Sequence, residues 1–416
     1  MQKKVEVFKK LNTFFYFISL FITILLFPII FLFIKFIGIF YKIRLTEILS
    51  HRYGHLGANP HGYLIEKKED KSNIRYFDFF CTNKIGICNK VLLNLWKKKI
   101  RILPRYIIAP TIYLLNKIYS ASKNPHTIRN FNEKGRDLNF VWDKYKPSIN
   151  LSSEQYESCV NILLDNNIEI SKIKFACLFN RDDAYFNSFK HNKSWYYRSH
   201  QNYNIKKFNL MVDELSKRNI YTFRMGAKVE GTIGENNPKV IDYANSKFRS
   251  EVMDIFLAIN CMFGISCGTG SSAIAVIYRK PLLDLNGNIF QLETNPKSNI
   301  LLSKHYYSKE KKRNLTLREL MQFNLGSLNT REQLDQAKID VKDCTEEEIK
   351  DACLELLDRV QGNWVDKAED ISLQNKFKEK YDNFKVHPKT GMRWHGDIIR
   401  SNYSSSFLRS NKDWLN

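Results

Sequence analysis

The sequence is short of glycine and proline, and none of its cysteines stands in a paired metal-binding motif. It has 17 glycines and 10 prolines among 416 residues, which excludes collagen-like and low-complexity architectures. Its eight cysteines include no C-x-x-C pair, and several lie in apolar runs such as IKFACLF. We expect buried free thiols in a reducing compartment, with neither a disulfide framework nor a zinc site.

Several sequence signatures of known chemistries are missing as well. No Walker motif, H-E-x-x-H, EF-hand loop or G-x-S-x-G elbow occurs, so metal-dependent chemistry and serine hydrolysis lose support. Zinc-finger spacing, RNA-binding signatures and helix-turn-helix patterns are also not found, and a nucleic-acid partner is therefore not expected.

Acidic residues are scarce, above all in the first third of the chain. Lys and Arg number 65 against 43 Asp and Glu, for a net charge of +22. Residues 1–150 carry 26 basic and nine acidic side chains, a net charge of +17, which leaves +5 for the other residues. Such asymmetry predicts a polyanionic partner at one end of the molecule, either a nucleic acid or an anionic membrane.

One long apolar segment favours the membrane. Residues 14–34 contain no charge, and these 21 residues are just long enough to span a bilayer core of about 30 Å. The run is too long for a signal-peptide core, and bulky basic residues follow it. Pro28 predicts a kink or break, and lysines on both sides give no orientation. We expect a membrane anchor over 1–44, either re-entrant or interfacial with both ends on the cytoplasmic face, or a single span.

A second stretch mixes basic and apolar residues. Residues 92–120 place lysines and arginines among aromatic and aliphatic side chains, as in LLNLWKKKIRILPRYIIAP. This pattern fits a surface that touches anionic headgroups. It fits equally a solvated basic helix followed by a core helix.

Strand and helix patterns alternate from residue 173 to residue 286. The continuous apolar run IKFACLF is typical of a buried parallel strand, and NIKKFNLMVDELSKRN has apolar residues at helical spacing. IYTFRMG, CMFGIS and PLLDLN predict further strands. The alternation predicts an α/β fold with a doubly wound sheet in this region.

Polar residues follow these strands where each one ends. Ligands of such sheets bind at the carboxyl ends of the strands, so a ligand crevice is expected there. The residues concerned are Asn180–Tyr185, Arg224–Gly226, Asp242–Tyr243 and Gly268–Ser272.

The sequence Gly268-Thr269-Gly270-Ser271-Ser272 lies between a predicted strand and a predicted helix. Glycines allow close backbone approach, and a helix N-terminus attracts anions, so the turn suits a diphosphate. Arg181 and Arg224 follow two neighbouring strands and are candidates for bidentate phosphate contacts. The alternatives are a tight turn that needs glycine for its shape, and arginines that pair with nearby carboxylates.

Other titratable residues allow two interpretations each. His55, in a predicted loop, could deprotonate an acceptor hydroxyl or be a structural histidine. Asp254 is a helix-start carboxylate or a ribose ligand. Asp182 and Asp183 are adjacent, so their side chains diverge and joint chelation of a metal is not expected.

At this point a resemblance can be stated. The ordered strings RDDAYF, YYRSHQNYN, TFRMG, VIDYANS and MDIFLAINCMFGISCGTGSSAIAVIYRKPLLDLN resemble a family of bacterial glycosyltransferases linked to surface polysaccharide synthesis. YGHLGANPHGYL and FLRSNKDWL match its N-terminal and C-terminal motifs, so the resemblance covers about residues 45–416. Two positions depart from the family pattern, Tyr53 and Ser199, where a bulky aliphatic residue and an asparagine are expected.

The resemblance implies a GT-B fold, with two facing Rossmann-like domains. Beyond the anchor that the apolar run predicts at 1–44, it implies an acceptor-side α/β domain at 45–165 and a donor-binding domain at 166–290, and we expect a helical C-terminal extension at 291–416. Asp182 is placed with His55 in the catalytic group. The residues placed at the donor site are Arg181, Tyr185, Arg198, Arg224, Gly226, Asp242, Tyr243, Gly268, Thr269, Gly270, Ser271 and Ser272.

The sequence thus predicts a metal-independent glycosyltransferase without a bound cofactor. Its expected partners are a nucleotide-sugar donor, membrane lipid and a lipid-linked or polysaccharide acceptor, with the catalytic body on the cytoplasmic face of a bacterial inner membrane. One alternative is a membrane-anchored nucleotide-binding scaffold of polysaccharide assembly without transfer activity. A methyltransferase is a weaker alternative, because its glycine-rich turn should follow the first strand of the domain.

Overall fold

The computed structural model describes residues 2–120, 123–137, 140–187, 199–285, 296–322, 328, 330–383 and 399–416. The chain forms two compact units. The first unit comprises residues 1–135 and 147–150, and the second comprises residues 136–146 and 151–416. Each unit is described below by itself.

Helices and parallel strands alternate along much of the chain. The helices are α1 (Gln2–Ile37), α2 (Tyr53–Glu69), α3 (Lys90–Lys97), α4 (Arg105–Ile118), α5 (Ser153–Asp165), α6 (Ala184–Asn187), α7 (Asn209–Lys217), α8 (Glu251–Asn260), α9 (Ala273–Ile277), α10 (Leu317–Gln322), α11 (Arg331–Gln336), α12 (Glu346–Gln361), α13 (Ala368–Asn383) and α14 (Ser405–Ser410). The strands are β1 (Lys42–Ile48), β2 (Tyr76–Thr82), β3 (Arg101–Ile102), β4 (Lys174–Phe179), β5 (Ile220–Arg224), β6 (Val240–Ile241), β7 (Phe263–Ser266), β8 (Leu282–Asp284), β9 (Ile300–Leu301), β10 (His305–Ser308), β11 (Arg313–Asn314), β12 (Ile339–Lys342) and β13 (Asn402–Tyr403).

The first unit is built on a parallel sheet with the order β1-β2-β3. A buried ion pair joins its two longer strands: Arg44 donates to both carboxylate oxygens of Asp78, over 2.7 and 2.9 Å. The hydroxyl of Tyr63 on α2 donates to the same carboxylate over 2.5 Å. Asp78 therefore ties both strands and the covering helix together.

Acid is expected to destabilise the first unit through Asp78. Burial by itself raises the pKa of Asp78, but hydrogen bonds from Arg44 and Tyr63 outweigh it and lower the pKa below its ordinary value of 3.8. The stability contributed by the ionised group is therefore present above about pH 4 and is lost as pH falls through the lowered pKa. Unfolding free energy measured from pH 5 to pH 2 should fall by about 2 kcal/mol more in the wild type than in Asp78→Asn. The exposed Glu133→Gln is the control, and parallel curves for wild type and Asp78→Asn would contradict the assignment.

Helix α1 runs without interruption through Pro28, from Gln2 to Ile37. A break at Pro28, one of the two outcomes predicted there, is therefore wrong, and the helix does not turn back at this residue. By length and composition, residues Phe14–Ile37 are the one helix of the described chain that is long and apolar enough to cross a membrane. One stripe of α1 packs on α4, and most of its other apolar side chains are exposed.

The second unit contains a parallel sheet with the order β13-β9-β8-β7-β4-β5-β6, which confirms the predicted α/β class with parallel strands. Strand β4 lies inside the sheet, between β7 and β5, in keeping with its apolar sequence KFACLF. Helix α7 follows β4 and precedes β5, as the helical spacing predicted. Gly264 in β7 leaves room for its neighbours, since a Cβ there would lie 2.7 Å from Leu282 and 3.1 Å from Phe179.

Two short strands from the C-terminal third extend this sheet. Strand β9 pairs with β8, and β13 pairs with β9, so the region predicted as a helical extension also contributes strands to the sheet of the second unit. Two-residue strands have no alternation of polarity that a sequence pattern could reveal. The same region also provides strands β10, β11 and β12 of a small antiparallel sheet.

The C-terminal tail docks inside the second unit. The side chains of Phe407, Leu408 and Leu415 are buried in its core. Tyr403 on β13 is fully buried, its ring lies 4.9 Å from that of Trp414, and its hydroxyl accepts a hydrogen bond from the Ser303 backbone. The apolar residues of FLRSNKDWL therefore hold β13 at the edge of the sheet.

Side chains cap two of these helices at their N-termini. Ser152 caps α5 in a capping box with Gln155, and Thr345 caps α12 in a capping box with Glu348. All eight cysteines are free thiols, and seven of them are buried. The thiol interpretation of the cysteines is thereby confirmed.

Candidate functional site

The carboxyl edge of the seven-stranded parallel sheet gathers polar side chains from successive strands. Because all these strands run the same way, their ends meet on one edge. The residues at these ends are Asn180 and Arg181 after β4, Arg224 on β5, Ser266 on β7, Asp284 on β8 and Lys304 after β9. This edge is the candidate site.

Arg224 is fully buried at the end of β5. Its Nη1 donates to the carbonyl oxygen of Gly231, and its Nη2 to that of Glu230, each over 2.6 Å. Its guanidinium also lies 3.5 Å from the carboxylate of Asp242 and 3.7 Å from that of Asp182. Burial lowers the pKa of Arg224, and the two carboxylates partly restore it. In this arrangement Arg224 holds the loop of residues 226–231 against the sheet.

Asp182 fixes the same loop from the other side. One carboxylate oxygen accepts the backbone N–H of Ala184 at the start of α6, over 3.1 Å. The other accepts the backbone N–H of Glu230, also over 3.1 Å. Asp182 is thus engaged with backbone donors on both oxygens, which is the geometry of a positioning residue.

Arg181 differs from Arg224 because it is only partly buried. Its Nη1 donates to the carbonyl oxygen of Gly268 over 3.3 Å. This contact joins the end of β4 to the glycine-rich turn after β7. The structure therefore brings Arg181 and the predicted diphosphate-binding turn together.

The turn itself is tightly ordered. Gly268 has a φ of 61°, in the left-handed region that favours glycine, and residues Gly270–Ser272 form a single 3-10 turn before α9. The Ser272 hydroxyl donates to the carbonyl of Thr269 over 2.8 Å and accepts from Ser266 over 3.2 Å, so it stabilises the turn from inside.

Helix α9 has only five residues, so its dipole is smaller than the sequence suggested. What remains for an anion is the set of first backbone N–H groups, which have no partner within a helix, and the half-exposed hydroxyls of Thr269 and Ser271. These two hydroxyls lie 3.3 Å apart on one side of the turn.

Other predicted donor-site residues stabilise the surrounding fold. Tyr243 is fully buried, and its hydroxyl donates to Asp254 over 2.8 Å and lies 3.0 Å from the Ser250 carbonyl. Burial raises the pKa of Tyr243 above its ordinary value, and burial also raises that of Asp254. Asp254 further pairs with Arg249 over 2.5 Å, which favours its structural interpretation as a helix-start carboxylate.

The remaining predicted residues occupy separate places. Asp242 follows β6 and accepts from Asn245 over 2.9 Å, beside Arg224. Tyr185 lies half-exposed in α6. Arg198 lies outside the described residues.

Gly226 shapes the loop that follows β5. Its φ is +155°, and a Cβ at this position would lie 2.4 Å from Cγ1 of Val229. Gly226→Ala should therefore displace the loop that Arg224 and Asp182 hold, at a cost of about 1–3 kcal/mol in unfolding free energy. Gly86→Ala is a matched control, because Gly86 has a φ of +145° with no atom within 4 Å of the added Cβ. Equal losses for the two variants, measured by denaturant unfolding, would contradict the steric account.

His55 belongs to the first unit. It lies in the first turn of α2 and not in a loop, so the sequence-based placement is wrong. Its Nδ1 is 3.1 Å from the side-chain nitrogen of Asn59, one turn further along the same helix. The glycines, asparagine and proline of YGHLGANPHGYL indicated a loop, but burial of residues 56–63 favours the helix.

Two site residues escaped the sequence analysis. Asp284 is buried at the end of β8, in register with Ser266. Lys304 is buried after β9, where its ammonium group donates to Asp343 over 2.6 Å and lies 4.0 Å from the ring centre of Tyr203. The strand PLLDLN was predicted, and the rule that ligands bind at the carboxyl ends of parallel strands would have identified Asp284 had it been applied to this strand as well. No pattern marked β9, and Lys304 had no sequence signal.

The described residues contain no group of three or more His, Cys, Asp and Glu side chains able to hold a metal ion. No known family profile and no curated protein sequence matches the chain. Solved structures are similar to it at low identity, among them the following three.

The first is a glycosyl transferase family 9 protein from Veillonella parvula, with 11% identity, a TM-score of 0.41 and coverage of 76% of this chain and 97% of that one. The second is an E. coli ADP-heptose LPS heptosyltransferase II, with 8% identity, a TM-score of 0.34 and coverage of 59% and 85%. The third is the dodecameric iron-containing heptosyltransferase TibC in complex with ADP-D-β-D-heptose, with 12% identity, a TM-score of 0.31 and coverage of 60% of each chain. Similarity at this level is too low to assign the chain to a family.

Proposed function

We propose that this protein is a glycosyltransferase that moves a sugar from a nucleotide-sugar to a membrane-associated polysaccharide or lipid-linked acceptor. The observation that carries the proposal is the contact of Arg181 with Gly268. It sets a partly exposed guanidinium beside a glycine-rich turn at the carboxyl edge of a parallel sheet. Guanidinium and backbone N–H groups are the donors that bind a diphosphate without a metal ion.

In the proposed reaction, the diphosphate of the donor binds to Arg181 and to the backbone N–H groups of Gly270 and Ser271. An acceptor hydroxyl oxygen attacks the anomeric carbon, and the bond from that carbon to the diphosphate oxygen breaks. The hydroxyl proton passes to a base, for which we propose His55, and the nucleoside diphosphate leaves with the bonding electron pair. Arg181 offsets the charge that develops on the leaving group.

Asp182 and Arg224 enter this proposal as positioning residues. Their contacts with the 230–231 backbone hold that loop at the carboxyl edge of the sheet, the same edge as the turn that would bind the donor. Domains that face each other as in GT-B enzymes, the absence of a metal requirement, and a cytoplasmic location remain part of the proposal.

A thermal-shift panel of ADP-, UDP- and GDP-sugars on the full chain in detergent tests donor binding. One nucleotide class should raise the melting temperature by about 5 °C at a hundredfold excess over its Kd. The corresponding sugar 1-phosphates, which lack the nucleotide, serve as controls. If no nucleotide-sugar stabilises the protein, the proposed donor site is wrong.

An activity assay with the donor identified in the panel distinguishes the enzyme from the scaffold alternative. A protein that binds nucleotide-sugars and neither transfers nor slowly hydrolyses the sugar would be a nucleotide-binding scaffold. Release of nucleoside diphosphate from the donor identified in the panel, followed in membranes that supply acceptor, decides between the two.

A further inference from the structure

Helices α1 and α4 of the first unit lie side by side and run in the same direction. Near one end, the Ser19 hydroxyl donates to the carbonyl oxygen of Tyr106. Near the other, the rings of Phe31 and Tyr119 are 6.4 Å apart. These contacts are separated by 12 residues on α1 and 13 on α4, so the helices stay paired over about 18–20 Å.

Helix α4 is also part of the folded body. Its inner side chains are buried against the sheet, and Arg105 at its start pairs with Glu47 of β1 over 3.3 Å. The buried residues that join α4 to the strands are Ile108, Ala109 and Leu115 on the helix and Ile43, Leu45 and Cys81 on the sheet. Any depth that α4 reaches in a membrane is therefore close to the depth of β1 and β2.

Both helices expose large apolar side chains. Those of α1 include Phe17, Phe21, Leu25, Leu32 and Phe36, each more than 60% exposed. On α4, Tyr106, Ile107, Tyr113 and Ile118 are about half exposed, and their spacing places them on one side of the helix. A continuous apolar surface of this extent is not stable in water and indicates a lipid or protein partner.

The positive charge on the same unit favours a lipid partner over a protein partner. Lys97, Lys98, Lys99 and Arg101 are exposed on the approach to α4, and Lys117 is exposed within it. The first 150 residues carry a net charge of +17. Basic side chains beside an apolar surface match the headgroups and acyl chains of an anionic bilayer.

We propose that α1 and α4 together form an interfacial membrane-binding surface, with both helices lying parallel to the membrane plane in the interface of an anionic bilayer. This inference is independent of the proposed reaction. An upright α1 would carry α4 into the hydrocarbon, and with it the charged residues Lys42 and Arg44 of β1, at high cost. The apolar part of α1, Phe14–Ile37, has 24 residues and extends about 36 Å, so its length would allow a span, and the pairing with α4 favours the flat arrangement instead. A flat helix also keeps both of its ends on the side of the body.

The first test compares the sides of the membrane. Gln2→Cys and Val365→Cys are made separately in a Cys88→Ser background, because Cys88 is the one half-exposed native thiol. Val365 is 80% exposed and reports on the body. A membrane-impermeant maleimide should label both positions from the same side of sealed inner-membrane vesicles. Labelling from opposite sides would overturn the proposal.

The second test measures depth. Spin labels at Ile107→Cys and Ile118→Cys, in the same background, lie about 16 Å apart along one face of α4. In vesicles containing anionic lipid, both should be accessible to oxygen and shielded from a water-soluble nickel complex, at depths equal within a few ångströms. A difference in depth of about 16 Å would indicate an upright pair and would refute the flat arrangement.

Two further outcomes are distinguishable in the same measurement. Ile371→Cys, on an exposed position of α13, is the matched control and should stay accessible to the nickel complex. If a second copy of the chain covers α4, its labels will be shielded from oxygen and nickel alike, and the lipid proposal fails. Labels on α4 that remain accessible to nickel in vesicles would contradict it equally.

Discussion

Arg224→Ala is expected to lower the free energy of unfolding of the second unit by about 3–5 kcal/mol, because it leaves buried charges without their partner. The guanidinium is fully buried and is hydrogen-bonded to the carbonyls of Glu230 and Gly231. Its loss takes the nearby positive charge from the carboxylates of Asp182 and Asp242, and it removes the Nη donors from both carbonyls. Denaturant unfolding of the full chain in detergent measures the effect.

Arg218→Ala provides the comparison for Arg224→Ala. Arg218 also pairs with an aspartate, Asp358 at 3.0 Å, but both side chains are substantially exposed, so a loss under about 1 kcal/mol is expected. Arg224→Lys should fall between the two, since an ammonium group keeps the charge but cannot reach both carbonyls as a planar fork does. If Arg224→Ala costs no more than Arg218→Ala, the loop is held by other contacts.

Arg181→Ala is expected to reduce sugar transfer about 10²–10³-fold while costing only about 1 kcal/mol of stability. The asymmetry follows from its position: the side chain is partly exposed and its hydrogen bond to the Gly268 carbonyl is long, at 3.3 Å. Its proposed task is to stabilise charge on the departing diphosphate, which matters most in the transition state. Initial rates of nucleoside diphosphate release, with the donor identified by thermal shift, provide the measurement.

Two variants sharpen this prediction. Arg181→Lys should recover part of the rate, because a point charge replaces the bidentate fork only in part. Arg218→Ala should transfer at the wild-type rate, since Arg218 pairs with Asp358 away from the site edge. If Arg181→Ala keeps full activity with an unchanged KM, the proposal that Arg181 binds the donor diphosphate is wrong.

The sequence was informative where a pattern is local. The apolar runs of β4, β5 and β7 predicted the parallel sheet, and the rule of carboxyl ends led directly to Arg181 and the turn at Gly268. In each case the determining residues are neighbours in sequence.

Contacts between distant segments were not predictable. Arg224 was a candidate phosphate ligand, but its Nη atoms donate to the backbone carbonyls six and seven residues later. The spacing of residues in the sequence does not predict that the loop folds back onto Arg224 in this way. His55 was expected in a loop because glycine, asparagine and proline around it are typical of loops. The segment is instead a buried helix, and its burial depends on distant residues that a local pattern does not reveal. Strands β9 and β13 are two residues each, and pairing alone makes them strands.

The pairing of β13 with β9 has a consequence for biosynthesis. The ribosome completes β13 about 100 residues after β9, so the edge of the second unit's sheet stays open until that late stage of translation. Helix α1 and the first unit are made earlier, and domains generally fold in order of synthesis. The first unit, with its exposed apolar helix α1, is thus complete while the sheet of the second unit still lacks its last strand.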